Sequence, residues 1–322
     1  ETGKARIYAQ EEVLDVALTA RYYAMHGPKM LADRKVAGMI PGATDVRVRY
    51  QPKGVVGVIS PWNYPLTLAV SDAVAALIAG NAVVIKPDSN TPYCALALAD
   101  LLYQAGLPRE LYAVVPGPGS VVGQAIVENT DYLMFTGSSE TGSTLAQQAG
   151  KRLIGFSAEL GGKNPLIITA DADIDRAVEG AARACFSNSG QLCISIERLY
   201  VASAIADEFS RKFADYVDNM KLSASYDLSA DMGSLASADQ IKTMETHVDD
   251  AVAKGATVLA GGRKRADLGP FFYAPTVITG VTDDMLCGRN ETFGPLVAIY
   301  PVESTDEAIE RANDTEYGLN AS

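Results

Sequence analysis

Between residues 55 and 149, short apolar runs that stop at proline or glycine alternate with helix-forming stretches about a dozen residues long. Residues 55–60 form the first run, ended by Pro61, and residues 66–79 an Ala-rich helix closed by Gly80. Residues 82–85 and a helix over 92–105, closed by Gly106, repeat the unit. Residues 113–115 lead into Pro116 and Gly117, followed by a helix over 120–128, a strand over 132–135 and a helix over 140–149. This alternation predicts right-handed βαβ units and a buried parallel sheet, an α/β fold. The pattern restarts after Glu159, with strands at 165–168, 199–201, 257–259 and 296–300 and helices at 173–186, 204–219 and 240–254. Upstream, residues 1–27 read as a helix ended by Pro28, and residues 45–51 alternate like a half-exposed strand.

The 322 residues are 48% hydrophobic, enough for two domains with real cores. A net charge of −12 argues against a non-specific nucleic-acid or anionic-membrane binder, since both need a basic face. The acidic balance favours a cytoplasmic protein; no apolar run is long enough to span a bilayer, and residues 1–30 carry no signal-peptide pattern. Four cysteines without CxxC spacing read as reduced thiols. Two histidines in unrelated contexts give poor support to a zinc site or a Ser-His-Asp triad, and no metal is expected. Chemistry is left to Cys, Glu, Lys and Asn.

Open parallel sheets bind ligands at the carboxyl ends of their strands. The residues expected there are Trp62 and Asn63, then Lys86 to Ser89, then Gly137 and Ser138. The stretch from Gly137 to Gly142 is neither a dinucleotide GxGxxG, because its glycines are five apart, nor a P-loop, because Ser143 stands where Lys should be. It either caps a helix or holds a phosphate on helix amides and Ser138. Lys86, between an apolar strand and Pro87, is either a surface lysine or a ribose or phosphate ligand. Cys193 follows Gly190 and Gln191 in a turn. It is either a small hydrophobe or a nucleophilic thiolate.

Five stretches, in order, resemble the aldehyde dehydrogenase superfamily. They are Ser60-Pro61-Trp62-Asn63-Tyr64-Pro65, Ile85-Lys86-Pro87-Asp88-Ser89, and Phe135-Thr136-Gly137-Ser138 running on to Gly142. Then come Glu159-Leu160-Gly161-Gly162-Lys163 with Gly190-Gln191-Leu192-Cys193, and Glu291-Thr292-Phe293-Gly294-Pro295. The resemblance spans essentially the whole chain. It implies a Rossmann-type parallel-sheet cofactor domain over 1–31 and 52–162, an oligomerisation ribbon over 32–51, and an α/β catalytic domain over 163–322, with the boundary near residues 161–163. Compared with the family the chain looks truncated at both ends, and the catalytic domain incomplete at its C-terminus. A homodimer or homotetramer is expected of the full-length form.

The resemblance also implies roles. Cys193 would be the nucleophile, Glu159 the general base for hydrolysis, and Asn63 an oxyanion donor. Lys86 would hold the adenosine ribose and Glu291 the nicotinamide ribose. Trp62, Gly137, Ser138 and Leu160 would line the cofactor, and Phe293 would either pack against the nicotinamide ribose or belong to the core. Ser89 stands where relatives that prefer NAD often carry Glu. A small neutral residue there implies that NADP is accepted and preferred, with NAD possible.

Within the superfamily the chain is most similar to bacterial NADP-preferring succinate-semialdehyde dehydrogenases, in residues 49–56 and 190–198. Succinic semialdehyde is therefore the expected substrate. The two arginines that grip the substrate carboxylate in well-known members are here Ser71 and Ser187, which supply no charge. Arg183 and Arg198 are candidate replacements, Arg198 reading better as a structural residue. The alternatives are an uncharged or aromatic aldehyde, a thioester hydrolase, and a non-catalytic scaffold. Cys185 and Cys287 are either oxidation partners of Cys193 or buried spectators.

Overall fold

The computed structural model describes residues 1–40 and 42–322. Position 41, inside the expected ribbon, lies outside the described residues. The polypeptide divides into two units, Gln10–Glu159 and Glu1–Ala9 with Leu160–Ser322. Helix α1 (Arg6–Met30) starts later than expected and continues past Pro28, whose missing N–H falls in the last turn, where it costs one bond.

In the first unit β1 (Arg34–Val36) and β2 (Val46–Val48) form an antiparallel pair. The βαβ run follows as β3 (Val55–Ile59), α2 (Thr67–Ile78), β4 (Ala82–Lys86), α3 (Pro92–Gln104), β5 (Tyr112–Val114), α4 (Gln124–Asn129), β6 (Tyr132–Thr136), α5 (Ser139–Arg152) and β7 (Gly155–Glu159). The expected helix over 120–128 is instead a π-helical turn over Gly119–Gly123 leading into α4. All five strands are parallel, in the order β5-β4-β3-β6-β7. Strand order therefore reverses between β3 and β6, the kind of crevice where open α/β sheets take ligands. Helix α2 buries Ala69, Val70, Ala73 and Ala76. These small side chains on one helical face let it lie close to the sheet. Gly80, at φ +87°, turns the chain from α2 into β4, a conformation that suits glycine.

The second unit continues with β8 (Asn164–Ile168), α6 (Ile174–Phe186), β9 (Ile196–Ala202), α7 (Ser203–Asp218), α8 (Ala238–Ala253), β10 (Thr257–Ala260), β11 (Thr276–Thr279), α9 (Leu286–Arg289), β12 (Leu296–Val302) and α10 (Thr305–Asn313). Its sheet runs β10-β11-β12-β9-β8, parallel except for the antiparallel edge strand β10. Strand β9 is buried at nearly every position and β12 at all but one, as a strand covered on both faces must be. Helices α6 and α7 pack Phe186, Phe209 and Phe213 into one core. Helix α8 contributes Ile241, Met244 and Val248 to another.

Candidate active site

In the first unit the candidate residues stand at the carboxyl ends of four adjacent strands. Strand β3 runs into half-buried Trp62 and buried Asn63. Glu12 on α1 fixes this turn. Its buried carboxylate accepts from Leu66 N at 2.9 Å and Thr67 N at 3.2 Å, the first amides of α2. Lys86 ends β4 and is 5% exposed. Its Nζ donates to the Pro87 carbonyl at 2.9 Å, which uses one of three donors. Burial pushes the Lys86 ammonium below the usual lysine range, with Asp88 opposing the shift. Ser89 is exposed, and its hydroxyl donates to the Gly117 carbonyl at 3.3 Å.

Gly137 and Ser138 join β6 to α5. An added Cβ on Gly137 would lie 2.5 Å from the Phe135 ring, so a side chain has no room there. Ser138 caps α5, its Oγ accepting from Thr141 N at 3.3 Å and donating to Thr141 Oγ1 at 3.0 Å. Glu159 ends β7 and is exposed. Burial, and then the nearby Glu159 charge, raises the Asp72 carboxyl above its ordinary range.

In the second unit half-buried Leu160 opens a network around the cysteine turn. Asn188, Ser189 and Gly190 are consecutive left-handed residues, at φ +49°, +59° and +69°. For residues with a side chain that conformation costs roughly 1–2 kcal/mol each, so the surroundings must impose it. Asn188 Nδ2 donates to Gln191 O, and Gln191 Nε2 donates back to Asn188 O. Gln191 Oε1 accepts from Ala236 N at 2.9 Å, and Ser189 Oγ donates to Gly233 O at 3.1 Å. At Gly190 a Cβ would meet the Gly294 carbonyl at 2.2 Å, so only glycine fits the turn. Beyond the turn Cys193 is half-buried. Asn164 Nδ2 donates to the carbonyls of Cys193 at 2.7 Å and Ser195 at 2.8 Å. Gly162 gives the Cys193 carbonyl room, since a Cβ there would approach it to 2.4 Å.

The same network holds the segment from Glu291 to Phe293. Glu291 Oε1 accepts from Gly162 N at 2.9 Å. Burial pushes the Glu291 carboxyl up to about 7, partly offset by that amide. Phe293, half-buried, is left-handed at φ +51°. Glu197 accepts from both Thr292 N and Phe293 N at 3.0 Å, and forms an ion pair with Lys163 in which both side chains are 2% exposed.

Lys163, Asn164 and Glu197 were assigned no role by sequence reasoning. A signal existed for Glu197: with Arg198 it interrupts an otherwise apolar strand. Arg198 donates to the carbonyls of Lys163, Arg311 and Ala312, a structural role. Arg183 is exposed and pairs with Glu179. Ser71 Oγ donates to Thr67 O and Ser187 Oγ to Arg183 O, both at 2.7 Å. Each hydroxyl proton is thus already engaged with backbone. Cys185 and Cys287 are buried in different cores, and burial raises both thiols above their ordinary range. Among the described residues no helix is long and apolar enough to cross a membrane, and no group of His, Cys, Asp or Glu could hold a metal ion.

A parallel sheet with polar residues at its switch point defines an α/β protein of the open-sheet class, and a separate α/β unit carries a cysteine in a built turn. The chain belongs to the aldehyde dehydrogenase family, whose sequence pattern matches residues 1–322. It is 69% identical over its whole length to a provisionally named succinate-semialdehyde dehydrogenase [NADP(+)] of Mycolicibacterium smegmatis, and spans 62% of that protein. It is 36% identical to the succinate semialdehyde dehydrogenase of Acinetobacter baylyi, of which it spans 66%. Among solved structures, the NAD+ complex of an aldehyde dehydrogenase from Bacillus cereus matches all of this chain with a TM-score of 0.95 and 35% identity. The chain covers 65% of that protein.

Proposed function

We propose that the protein oxidises an aldehyde to the carboxylic acid through a cysteine thioester, with succinic semialdehyde as substrate and NADP preferred over NAD. The observation that carries this reading is the cysteine turn. Three left-handed residues and the Asn164 amide hold a half-buried thiol in a fixed backbone, which an ordinary core cysteine does not need.

Residues 1–31 and 52–162 supply the dinucleotide-binding part, and residues 163–322 the catalytic part. The donor set fits a phosphorylated dinucleotide. Lys86 retains two ammonium donors, α5 presents its N-terminus, and neutral Ser89 would not repel a 2′-phosphate. Trp62, Gly137, Ser138 and Leu160 would line the cofactor, and Glu291 and Phe293 would hold the nicotinamide ribose. When bound, the nicotinamide accepts the hydride from the substrate carbon. Cys193 Sγ adds to the aldehyde carbon to form a thiohemiacetal. The Asn63 amide and the Cys193 N–H stabilise its oxyanion. Loss of hydride leaves a thioester on Cys193, and Glu159 takes a proton from the water that hydrolyses it. The relatives' names support the semialdehyde and NADP.

A second substrate reading, an uncharged aldehyde, is favoured by the engaged hydroxyls of Ser71 and Ser187. We also propose a cytoplasmic homodimer or homotetramer that uses the β1–β2 pair, whose neighbouring Met39 is 94% exposed. The test is reduction of NADP and NAD by full-length protein with succinic semialdehyde, beside an uncharged aldehyde of similar length. Turnover of the semialdehyde favouring NADP is expected. Turnover of the uncharged aldehyde alone would keep the chemistry and replace the substrate. No reduction with any aldehyde by folded protein would leave a non-catalytic relative.

A further inference from the structure

We propose that Glu197 is a positioning residue for cofactor binding, acting through the backbone of Thr292 and Phe293 with Lys163 as its counter-ion. The inference rests on the proposed roles of Glu291 and Phe293 at the nicotinamide ribose. Glu197 sits four residues beyond Cys193 on β9 and is buried. Its Oε1 accepts from the amides of both Thr292 and Phe293, and its Oε2 from Thr292 N and the Lys163 ammonium. One carboxylate thereby joins three stretches: Gly162 and Lys163, the strand that leaves the cysteine turn, and Glu291 to Phe293.

A buried ion pair of this kind is poor evidence for stability, because apolar residues of similar volume often do as well. What it adds here is geometry. Phe293 has a left-handed backbone that a phenylalanine does not choose. That backbone is clamped on its N–H by Glu197 and on its carbonyl by Gln240 Nε2 at 2.9 Å. Glu291 is held at the other end of the same segment by Gly162 N. His247 Nδ1, 3.1 Å from Thr292 Oγ1, closes the side. Releasing the Glu197 clamp frees the two residues proposed to face the nicotinamide ribose and leaves Lys86 and Ser138 untouched.

Two double variants in the full-length protein separate positioning from packing. Lys163→Met with Glu197→Gln removes both charges and keeps an acceptor oxygen. Lys163→Met with Glu197→Leu fills the volume and leaves both amides without an acceptor. Titration calorimetry with NADP and with 2′,5′-ADP, which lacks the nicotinamide half, reads binding without turnover. We expect the Gln form to hold NADP close to wild type. The Leu form should lose about tenfold in NADP affinity, with 2′,5′-ADP affinity unchanged. If the Leu form does not fold, Gln240→Ala reads the same ratio from the other end of Phe293. An unchanged ratio of NADP to 2′,5′-ADP affinity in the folded Leu form, or in Gln240→Ala, would overturn the inference. Equal losses in both doubles would do the same. Wild-type protein that binds neither ligand would instead sink the cofactor reading itself.

Discussion

The side-chain amide of Asn164 donates to the carbonyl of Cys193 at 2.7 Å, while its own oxygen accepts from Asn320 N at 3.1 Å. A residue at the start of β8 thus sets the backbone of a cysteine 29 positions later. Asn164→Ala leaves the Cys193 and Ser195 carbonyls without that donor, at a cost of about 1–3 kcal/mol. It should slow alkylation of Cys193 by iodoacetamide and reduce kcat about tenfold or more, with NADP affinity unchanged. Alkylation rate, turnover and binding measured on one preparation check it.

Cofactor choice is expected to turn on Ser89. Its hydroxyl points to the Gly117 carbonyl rather than to a charged partner. Ser89→Glu brings a carboxylate to the place proposed for the 2′-phosphate, and like charges at that range repel. The ratio of kcat/KM for NADP to that for NAD should fall about tenfold or more, measured with one aldehyde.

Glu291 gives a pH dependence. Its carboxyl is raised from 4.5 to about 7, so the folded protein binds this proton more tightly than the unfolded chain does. The resulting stabilisation is complete below 4.5 and is lost as pH rises through about 7. It amounts to about 3 kcal/mol at most. Glu291→Gln stays neutral throughout. The Tm of wild type relative to Glu291→Gln should therefore fall between about pH 5 and 8, as read by thermal melts across that range.

Both sheets were legible because their strands are apolar runs punctuated by glycine and proline, as at Pro61, Gly80 and Gly106. Strand β7 was not read, since Gly155 to Glu159 contains few strand-forming residues and is paired on one side only, by β6. Strand β11, four residues between Pro275 and Gly280, carries a strand signal in its β-branched residues and flanking breakers. Helix α10 is short and mostly polar, with only Ala308 buried, so its apolar pattern is weak.

At the site, the residues quoted in motifs are placed by local structure, but their supports come from far along the chain. Lys163 and Glu197 meet only because β8 pairs with β9, with Asn164 opposite Ile196. Ser189, left-handed, gives its hydroxyl to the carbonyls of Gly233 and Ser234, 44 and 45 positions away. No local pattern announces either. Gly190 did mark the turn, though the two residues before it share its backbone conformation.

In the proposed reaction Cys193 carries the acyl group and Glu159 supports its hydrolysis. The direct measurement is peptide mass spectrometry of full-length Glu159→Gln protein, mixed with NADP and succinic semialdehyde and quenched in acid. One succinyl group per chain is expected, on the peptide containing Cys193, with about one equivalent of NADPH formed per site before turnover slows. Steady turnover at the wild-type rate with no adduct, or an adduct on any other residue, would contradict it.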